Sequence, residues 1–311
     1  MRAIERVLVA GSGTMGMSIA QIFAEKGYRV TVYDVSEESI KKGQNLLELN
    51  QQGLVKYERI TAAESEELVK RISFTTDIES AKDADFVTES IVENLEIKKT
   101  FWKTVSERVG EDVVLTTNTS GINITAISEA VKMPERFVGM HWFNPPHIIP
   151  LIEVISGVST TEENAKIVYD LAVSMGKKPI YVKKDVPGFA ANRVQFAVLR
   201  ELLYLVGEGV VSFEDADNVL KHGLGIRYAC LGPFEIADLG GIDTFRNISE
   251  YLFADLDDSK EGSPLFRQLV GQGRLGVKSE AGIYDYAGGK AAEVIKYRDE
   301  MFMKLCDCLY K

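Results

Sequence analysis

Residues Arg6–Gly16 read RVLVAGSGTMG, an apolar run that ends in a glycine-rich turn. The run has the length of a buried β-strand, and the residues that follow have the apolar periodicity of a helix. Gly11, Gly13 and Gly16 form the pattern G-x-G-x-x-G between these two elements. Such glycines allow a tight turn, close approach of a pyrophosphate and tight packing of the helix on the strand. The stretch therefore predicts a dinucleotide-binding strand–turn–helix unit.

The next apolar run indicates which dinucleotide this unit binds. It is RVTVYD, and it ends at Asp34, 23 residues after Gly11. A carboxylate at this point accepts hydrogen bonds from ribose hydroxyls and repels a 2′-phosphate, so the pattern favours NAD over NADP. Thr14 and Met15 complete the predicted NAD-binding turn, because N–H groups at a helix N-terminus face the phosphates. FAD uses the same glycine pattern, and a purely structural turn is the other alternative.

Strand-like runs and helical segments alternate from the N-terminus to residue 185. This alternation predicts a Rossmann-type, doubly wound α/β sheet. Between Ser36 and Arg71 the pattern is helical; we expect a break at Gly53 and a capping box of Thr61 with Glu64 at the start of the second helix.

After Pro187 and Gly188 the pattern is helical to the end of the chain. We therefore predict two domains, a sheet domain at 1–185 and an all-α domain at 186–311. The segment 189–206 is apolar on most of its faces and must be covered, which predicts a homodimer through the helical domain. Another helix is predicted to begin after Ser212 and to end at Gly223 and Gly225.

Composition excludes several classes of protein. The 311 residues carry a net charge of −10, which argues against a nucleic-acid partner. No apolar run reaches the roughly 18 residues of a membrane span, and the N-terminus lacks a signal-peptide pattern. Three cysteines are too few for a disulfide framework and predict a cytoplasmic location. Cys306 and Cys308 form an isolated C-x-C without nearby ligands, so we predict no metal site.

Two of the three histidines lie in Gly139–Val154, GMHWFNPPHIIPLIEV. His141 ends a predicted strand at the carboxyl edge, where open α/β sheets bind ligands, and His147 follows the proline pair. Glu153 lies in an apolar strand, where a buried carboxylate needs a partner. A histidine would satisfy it and could act as general base, so we predict a His141–Glu153 dyad. His222, before a glycine, is predicted to be a cap or surface residue.

Two further polar residues are candidates for substrate binding. Ser120 follows a strand in TTNTSG, and it either binds a substrate oxygen or caps the helix that begins nearby. Asn192 is the first polar residue of the apolar helix, and it either points to the cleft or bonds at the helix start.

These segments together resemble the L-3-hydroxyacyl-CoA dehydrogenase family. The resemblance is carried, in family order along nearly the whole chain, by GSGTMG, VTESIVENLEIKK, TTNTSG, GMHWFNPP, LIEV, DVPGFAANR, GPFEIADLGGID and GRLGVKSEAGIYDY. It implies an NAD-binding domain followed by a helical dimerisation domain. It also implies oxidation of an L-3-hydroxyacyl-CoA, of short chain such as 3-hydroxybutyryl-CoA, to the 3-ketoacyl-CoA.

The resemblance implies a role for each matching residue. His141 matches the catalytic base and Glu153 its carboxylate partner. Ser120 and Asn192 match residues that hold the reacting part of the substrate. Residues that match positions near the cofactor are Glu93, Lys98, Asn144 and Lys278.

Some features are more similar to the branch of the family that oxidises free 3-hydroxy acids such as L-gulonate or L-carnitine. They include GLGIRYA at Gly223–Ala229, and Gln51 with Gln52 in a turn where acyl-CoA members tend to carry lysines. Arg227 is either a clamp for a substrate carboxylate or an ion-pairing residue of the dimer interface. The alternative to an enzyme is a non-catalytic protein with the same fold that has a structural or NAD-sensing role.

Overall fold

The computed structural model describes residues 4–56 and 58–310. Its strands are β1 (Arg6–Ala10), β2 (Arg29–Tyr33), β3 (Ile72–Thr75), β4 (Phe86–Glu89), β5 (Val114–Thr117), β6 (Phe137–Trp142), β7 (Leu151–Ser156) and β8 (Lys178–Val182). They form one sheet in the order β3-β2-β1-β4-β5-β6-β7-β8. The first six strands are parallel, β7 is antiparallel to β6, and β8 is parallel to β7.

The strand order reverses direction between β1 and β4. In a doubly wound sheet this switch point opens a crevice at the carboxyl ends of the strands, where ligands bind. The turn after β1 and the segment after β4 border the crevice. The predicted Rossmann-type sheet is confirmed, and so is the helical region that follows it.

The helices that cover the sheet are α1 (Thr14–Glu25), α2 (Glu37–Lys56), α3 (Ala62–Lys70), α4 (Leu95–Ser106), α5 (Ile124–Ser128) and α6 (Glu162–Ser174). The capping box of Thr61 with Glu64 is confirmed at the start of α3. The predicted break at Gly53 is wrong, because α2 continues to Lys56. A helical glycine costs only about 1 kcal/mol, and α2 is held by its buried side chains. Gln51 is one of them, and it bonds to Gln21 and Ser65, so it lies in a helix and not in a turn.

Two hydrophobic clusters lie on opposite faces of the sheet. Successive side chains of a strand alternate between faces. Val7 and Val9 of β1 therefore belong to one cluster, and Leu8 between them belongs to the other. The cluster around Leu8 also contains Val87 and Leu115. By the same alternation, Glu89 and Thr117 extend from that face near the carboxyl edge.

The remaining helices are α7 (Ala191–Gly207), α8 (Phe213–Asn218), α9 (Gly225–Cys230), α10 (Pro233–Gly240), α11 (Ile242–Leu252), α12 (Pro264–Gly271) and α13 (Lys290–Tyr310). Ser212 caps α8, as predicted, by accepting a bond from the Asp215 backbone. The predicted helix end at Gly223 and Gly225 is wrong, because a π-helical turn at Val219–Leu224 joins α8 to α9. Gly225 has φ −61° and ψ −42°, which continues a right-handed helix, whereas a terminating glycine adopts positive φ.

The chain divides into two compact units, Met1–Asn192 and Arg193–Lys311. The boundary predicted from sequence, residue 185, stays a prediction. In the described part of the second unit, Ala216 is the one hydrophobic residue that is fully buried. Among residues 4–56 and 58–310, no helix has the length and apolar character needed to cross a membrane.

Candidate active site

The glycine turn after β1 is shaped by close contacts at two of its three glycines. Gly11 has φ +105°, and a Cβ there would lie 2.5 Å from the carbonyl oxygen of Ser90. A Cβ on Gly16 would lie 1.9 Å from the carbonyl oxygen of Gly11. At Gly13, by contrast, a Cβ would meet no atom of the described residues within 4 Å apart from its own neighbours along the chain. The protein itself requires glycine at 11 and 16, whereas the space at Gly13 fits a pyrophosphate lying against the backbone.

Thr14, Met15 and Gly16 form the first turn of α1, where backbone N–H groups lack partners within the helix. Gly13, the residue before this turn, has no side chain that could accept their hydrogen bonds. These N–H groups suit a diphosphate, and the cofactor role of Thr14 and Met15 stays a prediction.

Asp34 follows β2 and is hydrogen-bonded to the glycine turn after β1. Its Oδ2 accepts hydrogen bonds from the backbone N–H and the hydroxyl of Ser12, at 2.8 and 2.7 Å. Oδ1 accepts no hydrogen bond from the described residues. The carboxylate is therefore oriented by Ser12 and keeps one oxygen for a ribose hydroxyl, which fits NAD.

His141 and Glu153 form a buried pair at the carboxyl edge. They are directly opposite each other in the antiparallel register of β6 and β7. Nδ1 of His141 lies 2.8 Å from Oε2 of Glu153, and their side chains are 4% and 0% exposed. The imidazole also packs against Phe143 and Phe189, with ring centroids 4.5 and 5.7 Å away. Because Nδ1 is engaged by the carboxylate, proton transfer to a ligand falls to Nε2.

The second oxygen of Glu153 binds the start of α7. Oε1 accepts the backbone N–H groups of Ala190 and Ala191, at 2.9 and 2.8 Å. Burial alone would raise the pKa of Glu153, but the bonds from His141 and from these two N–H groups outweigh burial and lower the pKa. Glu153 is therefore an ionised carboxylate at neutral pH, able to stabilise an imidazolium.

Ser120 and Asn192 are brought together by the loop after β5. Nδ2 of Asn192 donates a 2.9 Å hydrogen bond to the backbone carbonyl of Ser120. The cap of α5 is Asn123, which accepts from the Ala126 backbone, so Ser120 does not cap this helix. Of the two roles that the sequence left open for Ser120, capping is excluded.

Glu93 and Lys98 lie beside the Ser120 loop. Oε1 of Glu93 accepts from the Thr119 hydroxyl at 2.5 Å and from the backbone N–H of Ser120 at 3.0 Å. Lys98, which the family resemblance implies lies near the cofactor, has a fully buried ammonium 3.4 Å from Oε2 of Glu93. Two of the predicted cofactor residues thus contact each other, and one of them, Glu93, also contacts the predicted substrate loop.

Sequence reasoning missed several buried polar residues at this edge. Glu89 ends β4, is fully buried and binds Lys98 at 2.5 Å. Asn118 accepts from the Trp142 backbone and donates to the Ser90 hydroxyl, so it joins the loops after β4 and β5 to β6. The signal for Glu89 was available, because VTES places a carboxylate in an apolar strand just as LIEV does for Glu153.

The proline loop after β6 is tied down by a lysine that the sequence did not single out. The Lys177 ammonium donates to the carbonyls of Pro146 and Ile149, at 2.5 and 3.0 Å. Asn144 and His147 are exposed on this loop. The structure thus keeps Asn144 near the end of β6, without a contact that tests its predicted cofactor role.

Arg227 and Lys278 belong to the second unit, and both lie near its surface. Arg227 lies in α9, just after the π-helical turn, and Lys278 lies in a 3₁₀ turn at Val277–Ser279. Their predicted roles toward substrate and cofactor stay predictions.

Two family profiles match the chain. The profile "3-hydroxyacyl-CoA dehydrogenase, NAD binding domain" matches residues 6–186, and the profile "3-hydroxyacyl-CoA dehydrogenase, C-terminal domain" matches residues 188–286. The first covers the glycine turn, the dyad and Ser120, so these residues lie within an NAD-binding domain.

Individual relatives agree on the family and differ in substrate. The chain is 37% identical to a 5-formyl-3-hydroxy-2-methylpyridine 4-carboxylate 5-dehydrogenase of Mesorhizobium japonicum, over 91% of each chain. It is 39% identical to a probable 3-hydroxybutyryl-CoA dehydrogenase of Bacillus subtilis, over 91% of this chain and 98% of the relative. A crystal structure of the pyridine-carboxylate type, described as an NAD⁺-dependent dismutase, superposes with a TM-score of 0.90 at 34% identity, over 99% of each chain. The chain therefore belongs to the 3-hydroxyacyl-CoA dehydrogenase family, the NAD-dependent oxidoreductases that act on CH–OH groups.

Proposed function

We propose that this chain oxidises a short-chain L-3-hydroxyacyl-CoA, such as 3-hydroxybutyryl-CoA, to the 3-ketoacyl-CoA, reversibly and with NAD. The observation that carries the proposal is the 2.8 Å pair of His141 with an ionised, buried Glu153, at the sheet edge that also holds the glycine turn. A general base near neutral pH, with an orienting carboxylate behind it, is what removal of a hydroxyl proton requires.

The chemistry follows from the residues around this pair. Bound NAD⁺ supplies the acceptor for the hydride of the C3–H bond. As that bond breaks, the hydroxyl proton passes to Nε2 of His141 and a C3=O double bond forms. Glu153 stabilises the imidazolium through Nδ1, and the Ser120 hydroxyl with Asn192 holds the oxygen of the new carbonyl. In the reverse direction, protonated His141 is the general acid.

A free carboxylate-bearing substrate is the second candidate. It is favoured by the relative whose named substrate is a formyl pyridine carboxylate without CoA, and by the 0.90 TM-score of that type. Gln51 also favours it, because this residue is buried and hydrogen-bonded within the first unit and so offers nothing to a CoA phosphate. In this case Arg227 is the proposed clamp for the substrate carboxylate.

Turnover of NAD with a substrate panel separates the candidates. The panel contains 3-hydroxybutyryl-CoA and acetoacetyl-CoA, the free acids L-gulonate and L-carnitine, and the formyl pyridine carboxylate. A higher kcat/KM for the thioesters supports the first candidate, and a higher kcat/KM for any free acid replaces it with the second. NAD binding without turnover of any of them would leave an NAD-binding structural or sensing protein.

We also propose a homodimer that forms through the second unit and a cytoplasmic location. The dimer is supported by the near absence of fully buried hydrophobic residues in the described part of residues 193–310. Helices with so little buried apolar surface gain most of their stability from further packing. The location rests on the odd, sparse set of cysteines, which suggests a reducing compartment.

A further inference from the structure

Glu89 is a buried carboxylate for which the proposed mechanism gives no role. It ends β4, and its side chain is 0% exposed. Oε1 accepts from the Lys98 ammonium at 2.5 Å and from the Ile91 backbone at 2.9 Å. Oε2 accepts from the Thr117 hydroxyl at 2.7 Å and from the Trp102 indole at 3.2 Å. Four donors therefore fix both oxygens of the carboxylate in place.

Glu89 in turn fixes the ammonium of Lys98. A lysine side chain is long and flexible, and its ammonium seeks up to three acceptors. Here Nζ lies 2.5 Å from Glu89, 3.4 Å from Oε2 of Glu93 and 3.5 Å from the Ile91 carbonyl. The short contact is to the buried carboxylate, so Glu93 receives only a long one.

Because the Lys98 ammonium binds mainly to Glu89, Glu93 is able to hold the loop after β5. Its Oε1 accepts from the Thr119 hydroxyl at 2.5 Å and from the backbone N–H groups of Ser120 and Gly121, at 3.0 and 3.2 Å. Burial would raise the pKa of Glu93, but the Thr119 bond, the Lys98 charge and the two N–H groups lower it overall. The Ser120 carbonyl then accepts from Asn192 at 2.9 Å.

We propose that Glu89 is a positioning residue that acts through Lys98 and Glu93 on the loop Thr119–Gly121. When Glu89 holds the ammonium, Glu93 keeps one oxygen for the loop, and Ser120 with Asn192 adopts the geometry that the reaction needs. Without the charge on Glu89, the ammonium turns toward Glu93 and competes with the three loop donors. The effect on turnover rests on the proposed function, whereas the effect on the loop does not.

The alternative is a buried ion pair that contributes to the fold alone. Losing one partner of a buried pair destabilises a protein wherever the pair lies. A purely structural pair would leave the loop unchanged in the folded protein, and its loss would add independently to losses at Glu93. A positioning role and a purely structural role therefore predict different amide exchange in the loop. They also predict different additivity of the losses in kcat at Glu89 and Glu93.

Amide hydrogen exchange, measured without substrate, tests the local effect. Glu89→Gln should raise exchange at Ser120 and Gly121 by about tenfold, the loss expected for one charge-assisted hydrogen bond. Leu115, in the middle of β5, should exchange as before. The control is Glu129→Gln, which breaks an exposed 2.7 Å pair with Lys99 on the same helix as Lys98 and should change neither loop amide. Unchanged exchange at Ser120 and Gly121 in Glu89→Gln would overturn the proposal.

Steady-state kinetics test whether Glu89 acts through Glu93. They are measured with the substrate that the panel identifies. Glu89→Gln should lower kcat by roughly 10- to 100-fold, because small displacements of positioning groups cost this much. In a Glu93→Gln background the same change should lower kcat by less than about twofold, since its route of action is already lost. Full additivity would refute a route through Glu93.

A second variant covers the case in which Glu89→Gln does not fold. Glu89→Gln with Lys98→Met removes both charges, which is often neutral for stability. It should exchange at Ser120 and Gly121 at the rate of Lys98→Met alone, and a faster rate would mean that Glu89 acts on the loop by another route. If no substrate is turned over, the proposed function fails while the exchange data still decide the role of Glu89.

Discussion

His141 and Glu153 are cross-strand partners: they occupy opposite positions in the β6–β7 register, with Nδ1 and Oε2 2.8 Å apart. The segment between them forms the proline loop and the two strand ends. Because β7 is antiparallel to β6, the beginning of β7 returns to the carboxyl edge where β6 ends. The antiparallel reversal in an otherwise parallel half-sheet is thus what places a carboxylate behind the histidine.

Glu153→Gln should remove most activity by changing the tautomer of His141. The new amide would keep accepting from the backbone of Ala190 and Ala191, so its NH₂ would face Nδ1. Nδ1 must then accept, which leaves the proton on Nε2 and removes the base. We expect kcat to fall by about 10³- to 10⁴-fold, as in triads with a misoriented histidine.

The measurement is steady-state kinetics together with the dissociation constant for NAD⁺. The dissociation constant should change by less than about threefold, because the change lies behind the histidine. Glu66→Gln, an exposed change on α3, is the matched control and should leave kcat unaltered. A Glu153→Gln enzyme with wild-type kcat would contradict the assigned dyad.

The same carboxylate should contribute to stability in a defined range of pH. Its folded-state pKa is lowered below the ordinary value of 4.5, so its contribution is fully present above that value. The contribution is lost as the pH falls through the lower folded-state value. The wild-type advantage in free energy of unfolding over Glu153→Gln should therefore shrink only below pH 4.5.

Urea unfolding of both proteins at a series of acidic pH values measures this difference. Other carboxylates of lowered pKa, such as Glu93, are present in both proteins and cancel. A wild-type advantage that does not shrink below pH 4.5 would contradict a lowered pKa of Glu153.

Asp34→Asn should weaken the preference for NAD⁺ over NADP⁺. The amide oxygen of the new side chain can still accept from Ser12, so the turn is kept while the negative charge is removed. We expect the dissociation constant for NAD⁺ to rise by about tenfold, because bonds to a charged acceptor are the stronger ones. Affinity for NADP⁺ should not fall, since its 2′-phosphate is no longer repelled.

Isothermal titration with both dinucleotides measures the ratio of the two affinities. Asp83→Asn, an exposed change before β4 at the amino edge of the sheet, is the control. A ratio that stays at the wild-type value in Asp34→Asn would show that Asp34 does not contact the ribose.

The sheet and its nucleotide turn could be predicted from sequence because the signals are local. Each strand is a short apolar run, and Gly11, Gly13 and Gly16 have a fixed spacing. The helix ends were harder to predict. Gly53 and Gly225 both continue a helix, because a glycine inside a helix costs only about 1 kcal/mol and does not by itself end it.

The site could be predicted only where one strand or turn carries the signal. Glu153 was identified because a carboxylate in an apolar strand needs a partner, and a histidine ends the strand before it. Glu89 carries the same local signal, but its partners Lys98, Trp102 and Thr117 come from a helix and a second strand. Three-dimensional packing brings these residues together, and their spacing along the chain does not predict the contacts.

Ser120→Ala should separate the hydroxyl of this residue from its backbone. The bonds from Asn192 and to Glu93 use the carbonyl and the N–H of Ser120, so alanine keeps both. We expect kcat to fall by about 10²-fold, the usual cost of one donor to a developing oxyanion. Thr100→Ala on the surface of α4 is the control. Equal kcat in the two variants would show that the Ser120 hydroxyl has no role in the reaction.

The second unit should form the contact of a dimer in solution. Its apolar side chains are unusually exposed: Phe234 is 86% and Phe253 is 74% exposed. In soluble proteins, large exposed apolar patches of this kind mark interfaces with other proteins. Analytical ultracentrifugation of the wild-type protein should give twice the single-chain mass of 34.5 kDa.

A charge placed in this surface should shift the equilibrium toward the monomer. Phe234→Asp with Phe253→Asp replaces two exposed rings by carboxylates that a closed interface cannot hydrate. Val158→Asp is the matched control, because Val158 is 83% exposed and lies in the first unit. If the control dissociates the protein and the paired change does not, the contact lies on the first unit. A wild-type protein that sediments as a monomer at micromolar concentration would contradict the dimer itself.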